Sequence, residues 1–134
     1  MFEGECVKIL LDTHILIWML MDSPILSKEA RDLLAAPETE MYYSPVSIAE
    51  ISIKHKVHPE EMVLSGDEAK GMFPELGCLV LDFKAKHAAA LDNIPLLHRD
   101  PFDRMLLAQA KTEGFKIVSH DNRFPAYGDF VIAV

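Results

Sequence analysis

The 134-residue sequence predicts an α/β domain built on a mainly parallel sheet, and three observations carry that prediction. Short apolar runs of strand length alternate with helical patterns along the whole chain. The first run, Val7-Lys8-Ile9-Leu10-Leu11, is nearly continuous, as in a strand buried on both faces. It stops abruptly on Asp12, and a later run stops on Ser119-His120-Asp121. Acids thus sit at carboxyl ends of strands, where α/β proteins place their ligands.

Each element has its own signal. Met1 to Cys6 reads as a frayed lead-in, and Val7 to Asp12 as the first strand. His14 to Met21 is apolar on all sides and predicts a well-buried helix, broken by Asp22-Ser23-Pro24. Ser27 caps a short amphipathic helix with Leu33 and Leu34 facing inward. Pro37 to Glu40 reads as a turn and Met41 to Tyr43 as the second strand. Ser44-Pro45 opens the next helix, a cap followed by the proline-tolerant first position. Val46, Ala49 and Ile53 recur there at helical spacing, with Ile48 and Ile51 widening the apolar stripe.

The pattern weakens from Glu60 to Gly77, although Ser65-Gly-Asp-Glu68 resembles a capping box and predicts a helix to about Leu76. Cys78 to Asp82 is a third strand, and Lys84 to Leu91 an alanine-rich helix. His98-Arg-Asp-Pro-Phe-Asp103-Arg104 opens a helix whose apolar stripe runs through Ala110 and ends at Gly114. Phe115 to Ser119 and Phe130 to Val134 complete five strands in one domain, residues 1–134, with neither repeats nor linkers.

Half the residues are hydrophobic and a quarter charged, a composition for a soluble globular chain. The longest apolar run, Ile15 to Met21, is too short to span a bilayer, so no membrane association is expected. Cys6 and Cys78 lack Cys-x-x-Cys spacing and read as reduced thiols, which points to the cytoplasm. The net charge of −8 argues against a broad basic grip on nucleic acid, unless many of the acids are gathered into one metal site. His55 and His58 have no third partner to complete a zinc set and read as helix-end histidines.

Four acids stand out: Asp12, Glu50, Asp103 and Asp121. Each has a plain structural alternative. Asp12 can cap the following helix, Glu50 can pair with Lys54, Asp103 suits a helix start, and Asp121 suits an Asp/Asn turn. Together, however, two ending strands and two on the early turns of helices would meet on one rim of a parallel sheet. Ionised carboxylates about 4 Å apart repel by about 4 kcal/mol per pair at an effective dielectric near 20. Protons or cations must neutralise such a cluster. Oxygen-only donors favour Mg²⁺ or Mn²⁺ over zinc, and the chemistry of such sites is displacement at phosphorus.

The stretches Leu10-Leu-Asp12-Thr-His-Ile-Leu-Ile-Trp18, Ser44-Pro-Val-Ser-Ile-Ala-Glu50-Ile-Ser-Ile-Lys54, His98 to Ala110 and Ile117-Val-Ser-His-Asp121 resemble PIN-domain ribonucleases, specifically VapC-type toxins. The resemblance spans nearly the whole chain. It implies a three-layer α/β/α sandwich with a five-stranded parallel sheet, and Mg²⁺- or Mn²⁺-dependent cleavage of RNA. A homodimer and inhibition by a cognate antitoxin protein are also implied. Asp12, Glu50, Asp103 and Asp121 become the metal-binding and catalytic acids. Thr13, Ser119, His98, Arg99 and Arg104 become candidates for contact with substrate, Arg104 alternatively for a structural role, and Asp100 a cap first.

Two other readings compete. One is a catalytically idle module that binds protein or RNA. The other is a phosphoryl-transfer domain with Asp12 as nucleophile, which wants a second acid two residues on, where this chain has His14.

Overall fold

The computed structural model describes residues 6–134; the expected frayed lead-in lies outside them apart from exposed Cys6. The strands are β1 (Val7–Leu11), β2 (Thr39–Tyr43), β3 (Leu79–Val80), β4 (Lys116–Ser119) and β5 (Val131–Ala133). The α-helices are α1 (Thr13–Leu20), α2 (Lys28–Ala35), α3 (Pro45–Val57), α4 (Gly66–Met72), α5 (Ala85–Ala89) and α6 (Pro101–Glu113). All strand pairs are parallel, in the order β3-β2-β1-β4-β5.

That order positions the site. The chain builds outward from β1 through β2 to β3, then crosses back to lay β4 on the other side of β1. The direction of winding therefore reverses between β1 and β4, and the crevice at such a reversal opens beyond the strands' carboxyl ends. Asp12 follows β1 and Ser119 ends β4, so both stand at this opening.

Alternation along β1 separates two cores. Ile9 and Leu11 pack with Ile15, Leu16, Ile51 and Phe73 on one face of the sheet. Leu10 packs with Leu106, Leu107 and Phe124 on the other. All three β1 side chains are fully buried, each contributing about 1.5–3 kcal/mol by removal from water. Helices on both faces of one sheet make the three-layer sandwich.

Several boundaries differ from the sequence expectations. The segment read as a turn, Pro37 to Glu40, enters β2 at Thr39, because Thr39 and Glu40 pair with Val7 and Lys8. β3 keeps only two regular residues of the five expected. It is an edge strand with β2 as its sole neighbour, and both Leu79 and Val80 are exposed. The capping box at Ser65 and Glu68 forms in full, but Pro74 ends the regular helix and starts a 3₁₀ turn instead. The alanine-rich helix likewise tightens to 3₁₀ geometry at Ala90–Asn93.

Two apolar patterns are oriented differently than expected. In α1 only Thr13, Ile15 and Leu16 are buried, and the residues from Ile17 to Leu20 are half-exposed. In α3 Ala49 and Ile53 face outward, while Val46, Ser47, Glu50 and Ile51 form the buried face. The acid thus lies on the inner stripe, where the sheet opening needs a side chain and the apolar residues beside it do not. Among the described residues no helix is long and apolar enough to cross a membrane.

Candidate functional site

At the reversal between β1 and β4 lies a cleft of about 270 Å³, lined by Asp12, Glu50, Asp100, Asp103 and Asp121 with His14, Trp18, His120 and Arg123. The four acids singled out in the sequence therefore share one cavity.

Asp12 does two things at once. Its Oδ1 accepts from the backbone N–H of Ile15 at 3.2 Å, capping α1, and its Oδ2 accepts from the Ser119 hydroxyl at 2.5 Å. Cap and cleft acid are the same residue. Ser119 in turn accepts from the backbone N–H of Asp121 at 3.0 Å, tying the two strand ends together. Burial raises the pKa of Asp12, against the lowering effect of the Ser119 hydrogen bond.

Glu50, buried, lies with Oε1 2.7 Å from the Thr13 hydroxyl, which donates to it, and Oε2 2.5 Å from the Lys54 ammonium one turn on. Thr13 also lies 2.9 Å from the Ser47 hydroxyl, from which it accepts. The Lys54 pairing is present as well as the cleft position; the two readings of Glu50 are compatible.

Asp100 caps α6 through Oδ1, accepting from the N–H groups of Phe102 and Asp103. Asp103 stands one turn inside. Burial first, then the charges of Asp100, Asp12, Glu50 and Asp121, push its pKa up to about 8. Asp121 goes the other way, to about 2. Burial alone would raise it, but the Arg123 side chain and backbone, then His98, hold its charged form.

His98 is buried between the last two acids. Its Nδ1 accepts the Asp100 backbone N–H at 3.1 Å, which places the ring proton on Nε2. That nitrogen lies 2.9 Å from Asp103 Oδ2 and 3.0 Å from Asp121 Oδ2. The ring nitrogen of His98 and the carboxylates of Asp103 and Asp121 thus lie within 4.8 Å of one another, with the N–H holding the two acids together.

The remaining candidates stand elsewhere than expected. Arg104 sends its guanidinium to the Ile94 carbonyl, 3.0 Å away, and Arg99 is exposed; neither lines the cleft. Thr13, Ser119 and His98, expected to meet substrate, bond to the acids instead. Each is buried, and each spends its hydroxyl or ring N–H on a carboxylate.

The donor set fits hard divalent cations. Five carboxylates line the cleft, with Lys54 and Arg123 as the basic side chains paired to them. The raised pKa of Asp103 agrees with that crowding: burial first, and then the neighbouring carboxylates, favour its protonated form.

The PIN domain family matches residues 9–129. The chain belongs to this family. No curated protein matches it in sequence. Solved structures share the PIN fold. VapBC2 from Rickettsia felis bound to a promoter DNA fragment has a TM-score of 0.68 at 16% identity, over 96% of this chain and 98% of that one. DNA-bound VapBC from Salmonella typhimurium gives 0.64 at 19%, over 95% and 98%. FitAcB from Neisseria gonorrhoeae gives 0.60 at 20%, over 92% and 96%.

Sequence reasoning misses several residues of this PIN domain's cleft. Arg123 grips Asp121 through its side chain and its backbone N–H, and only the two-residue spacing of an Asx turn hints at it. Ser47 is three residues before Glu50, on the same helical face, and is readable from that spacing. His14, Trp18 and His120 lie in stretches that the sequence singles out for their acids, but nothing in residue type marks these rings themselves for the cleft.

Proposed function

We propose that this PIN-domain protein is a metal-dependent endoribonuclease and the toxin of a VapC-type toxin–antitoxin pair. The observation that carries the reading is the convergence of Asp12, Glu50, Asp103 and Asp121 on one cleft, with Asp103 raised to about 8 by its surroundings. Membership of the PIN family and the VapBC and FitAcB folds support it.

Asp12, Glu50, Asp103 and Asp121 would hold Mg²⁺ or Mn²⁺. Once bound, such ions supply the charge that stabilises the attacking and departing oxygens of a phosphodiester. The chain's own part is preorganisation. Ser119 fixes the carboxylate plane of Asp12, Thr13 and Lys54 fix Glu50, and Arg123 and His98 fix Asp121. Removing such partners of a ligating group commonly costs about 10- to 100-fold in metal affinity or activity.

For the antitoxin partner the reading takes an exposed apolar surface as its seat. An apolar cleft of about 490 Å³ is lined by Ile17, Leu20, Met21, Met62, Val63 and Leu64, with Met21 and Val63 largely exposed. Exposed apolar surface of this kind marks protein-binding sites. A second copy of the chain, forming a homodimer, is the other expected partner.

The decisive experiment measures cleavage of single-stranded RNA with Mn²⁺ or Mg²⁺ by the wild type and by Asp12→Asn. Cleavage lost in the variant and abolished by EDTA is expected. Equal cleavage by the two proteins would remove the acid cleft from the reaction, and no cleavage by a wild type whose melting temperature ignores Mn²⁺ would favour the catalytically idle module.

A further inference from the structure

We propose that Trp18, flanked by His14 and His120, is a stacking subsite for an unpaired nucleobase next to the phosphate that enters the acidic cleft. The proposal rests on the nuclease reading above and specifies how the strand is held.

The three rings line the same cleft as the acids. His14 and Trp18 are one turn apart on α1, their ring centroids separated by 5.8 Å. His120 comes from the loop after β4 and meets Trp18 edge-on at 5.3 Å and 78°. Its Nδ1 donates to the Val134 carbonyl at 2.6 Å, so the imidazole is fixed in place. Part of the indole packs on the core and the rest faces the cleft, while both histidines are exposed.

Filling a core does not require this placement. A large apolar ring left partly in water beside carboxylates gains less than one fully buried. A ligand with an apolar face and a charged group a few ångströms away would use both features, and a nucleotide is such a ligand. With a net charge of −8 the chain as a whole exerts no attraction on nucleic acid. Lys54 and Arg123 are engaged with Glu50 and Asp121. Base stacking on an aromatic ring supplies affinity without surface charge, and single strands offer a free base where duplexes do not.

Trp18 is the single tryptophan of the chain, so its emission reports this subsite alone. The full chain, with Ca²⁺ replacing Mg²⁺ to suppress cleavage, is titrated with a fluorescein-labelled single-stranded oligoribonucleotide and with its abasic counterpart. Anisotropy gives binding independently of the tryptophan. Quenching by the intact strand and weaker binding of the abasic one are expected. Trp18→Leu should lower affinity by about 10- to 100-fold, with Trp18→Phe recovering most of it. Retention of the Mn²⁺-induced rise in melting temperature shows that both variants are folded with the acid site intact. Binding that leaves Trp18 emission unchanged, or equal affinity for the abasic strand, would overturn the subsite and leave the nuclease reading standing. No binding and no Mn²⁺-dependent cleavage would remove both.

Discussion

Replacing Asp103 by Asn should stabilise the metal-free protein and abolish its stabilisation by Mn²⁺. Burial and the carboxylates of Asp100, Asp12, Glu50 and Asp121 raise the folded-state pKa from 3.8 to about 8. The folded protein therefore holds a proton that the unfolded chain has released, and stability declines as pH climbs from about 4 to about 8, then levels off. Every tenfold difference in proton affinity between the two states corresponds to about 1.4 kcal/mol. The side chain is 16% exposed and the cleft is open to water. Solvent screening reduces the total, leaving about 2–3 kcal/mol at pH 8. For a chain of this size that is roughly 8–12 °C in melting temperature. Asparagine removes the charge and keeps an oxygen to accept from His98. Thermal unfolding in EDTA from pH 5 to pH 8 is the assay. The wild-type midpoint should drop across the range, and the variant's should drop less and end higher. Saturating Mn²⁺ should then raise the wild type alone, because an ion that binds only the folded state stabilises it. Parallel pH profiles for the two proteins would refute the claim that crowded acids destabilise this cleft.

Other outcomes follow from the same contacts. Ser119→Ala strips a hydroxyl donor from buried Asp12 and an acceptor from the Asp121 N–H. It should cost about 1–3 kcal/mol by denaturant titration and weaken Mn²⁺ binding about tenfold by calorimetry. Glu113→Ala leaves the fully buried His87 ring without its 2.7 Å partner and should destabilise by about 1–3 kcal/mol. RNA cleavage per folded molecule should be unchanged in that variant, since Glu113 and Asp103 lie at opposite ends of α6, about 15 Å apart.

What the sequence makes legible follows from what local patterns encode. The strand at Val7, the proline-led starts of α3 and α6 and the Gly114 stop, with its φ of 72°, depend on nearest neighbours and can be read directly. The inner face of α3 cannot be found that way. Hydrophobicity ranks Ala49 and Ile53 as inward residues, yet the helix turns Glu50 and Ser47 toward the strand ends, because their partner is Thr13 at the foot of α1. The shortness of β3 is equally non-local: an apolar run of five cannot announce that it will lie at a sheet edge. Arg123 stays hidden because a charged residue in a loop looks the same in sequence whether it meets solvent or an acid.

The arginines and histidine of the His98–Arg104 stretch show why residue type alone misleads about phosphate. From sequence they are the obvious anion holders. In the folded chain His98 gives its one ring proton to two carboxylates, Arg104 caps a carbonyl, and Arg99 stays outside the cleft. Arg123, which lines the cleft, and Lys54, behind it, are bound to Asp121 and Glu50. The cleft is therefore built to hold carboxylates in place, with Ser119 on Asp12, Thr13 on Glu50 and His98 on Asp103 and Asp121, rather than to attract a phosphate unaided. A phosphodiester approaching it meets negative charge first. On the proposed nuclease reading, cations gathered by those same carboxylates would reverse the sign of the field that RNA encounters, which would make metal binding the condition for RNA binding as well as for cleavage.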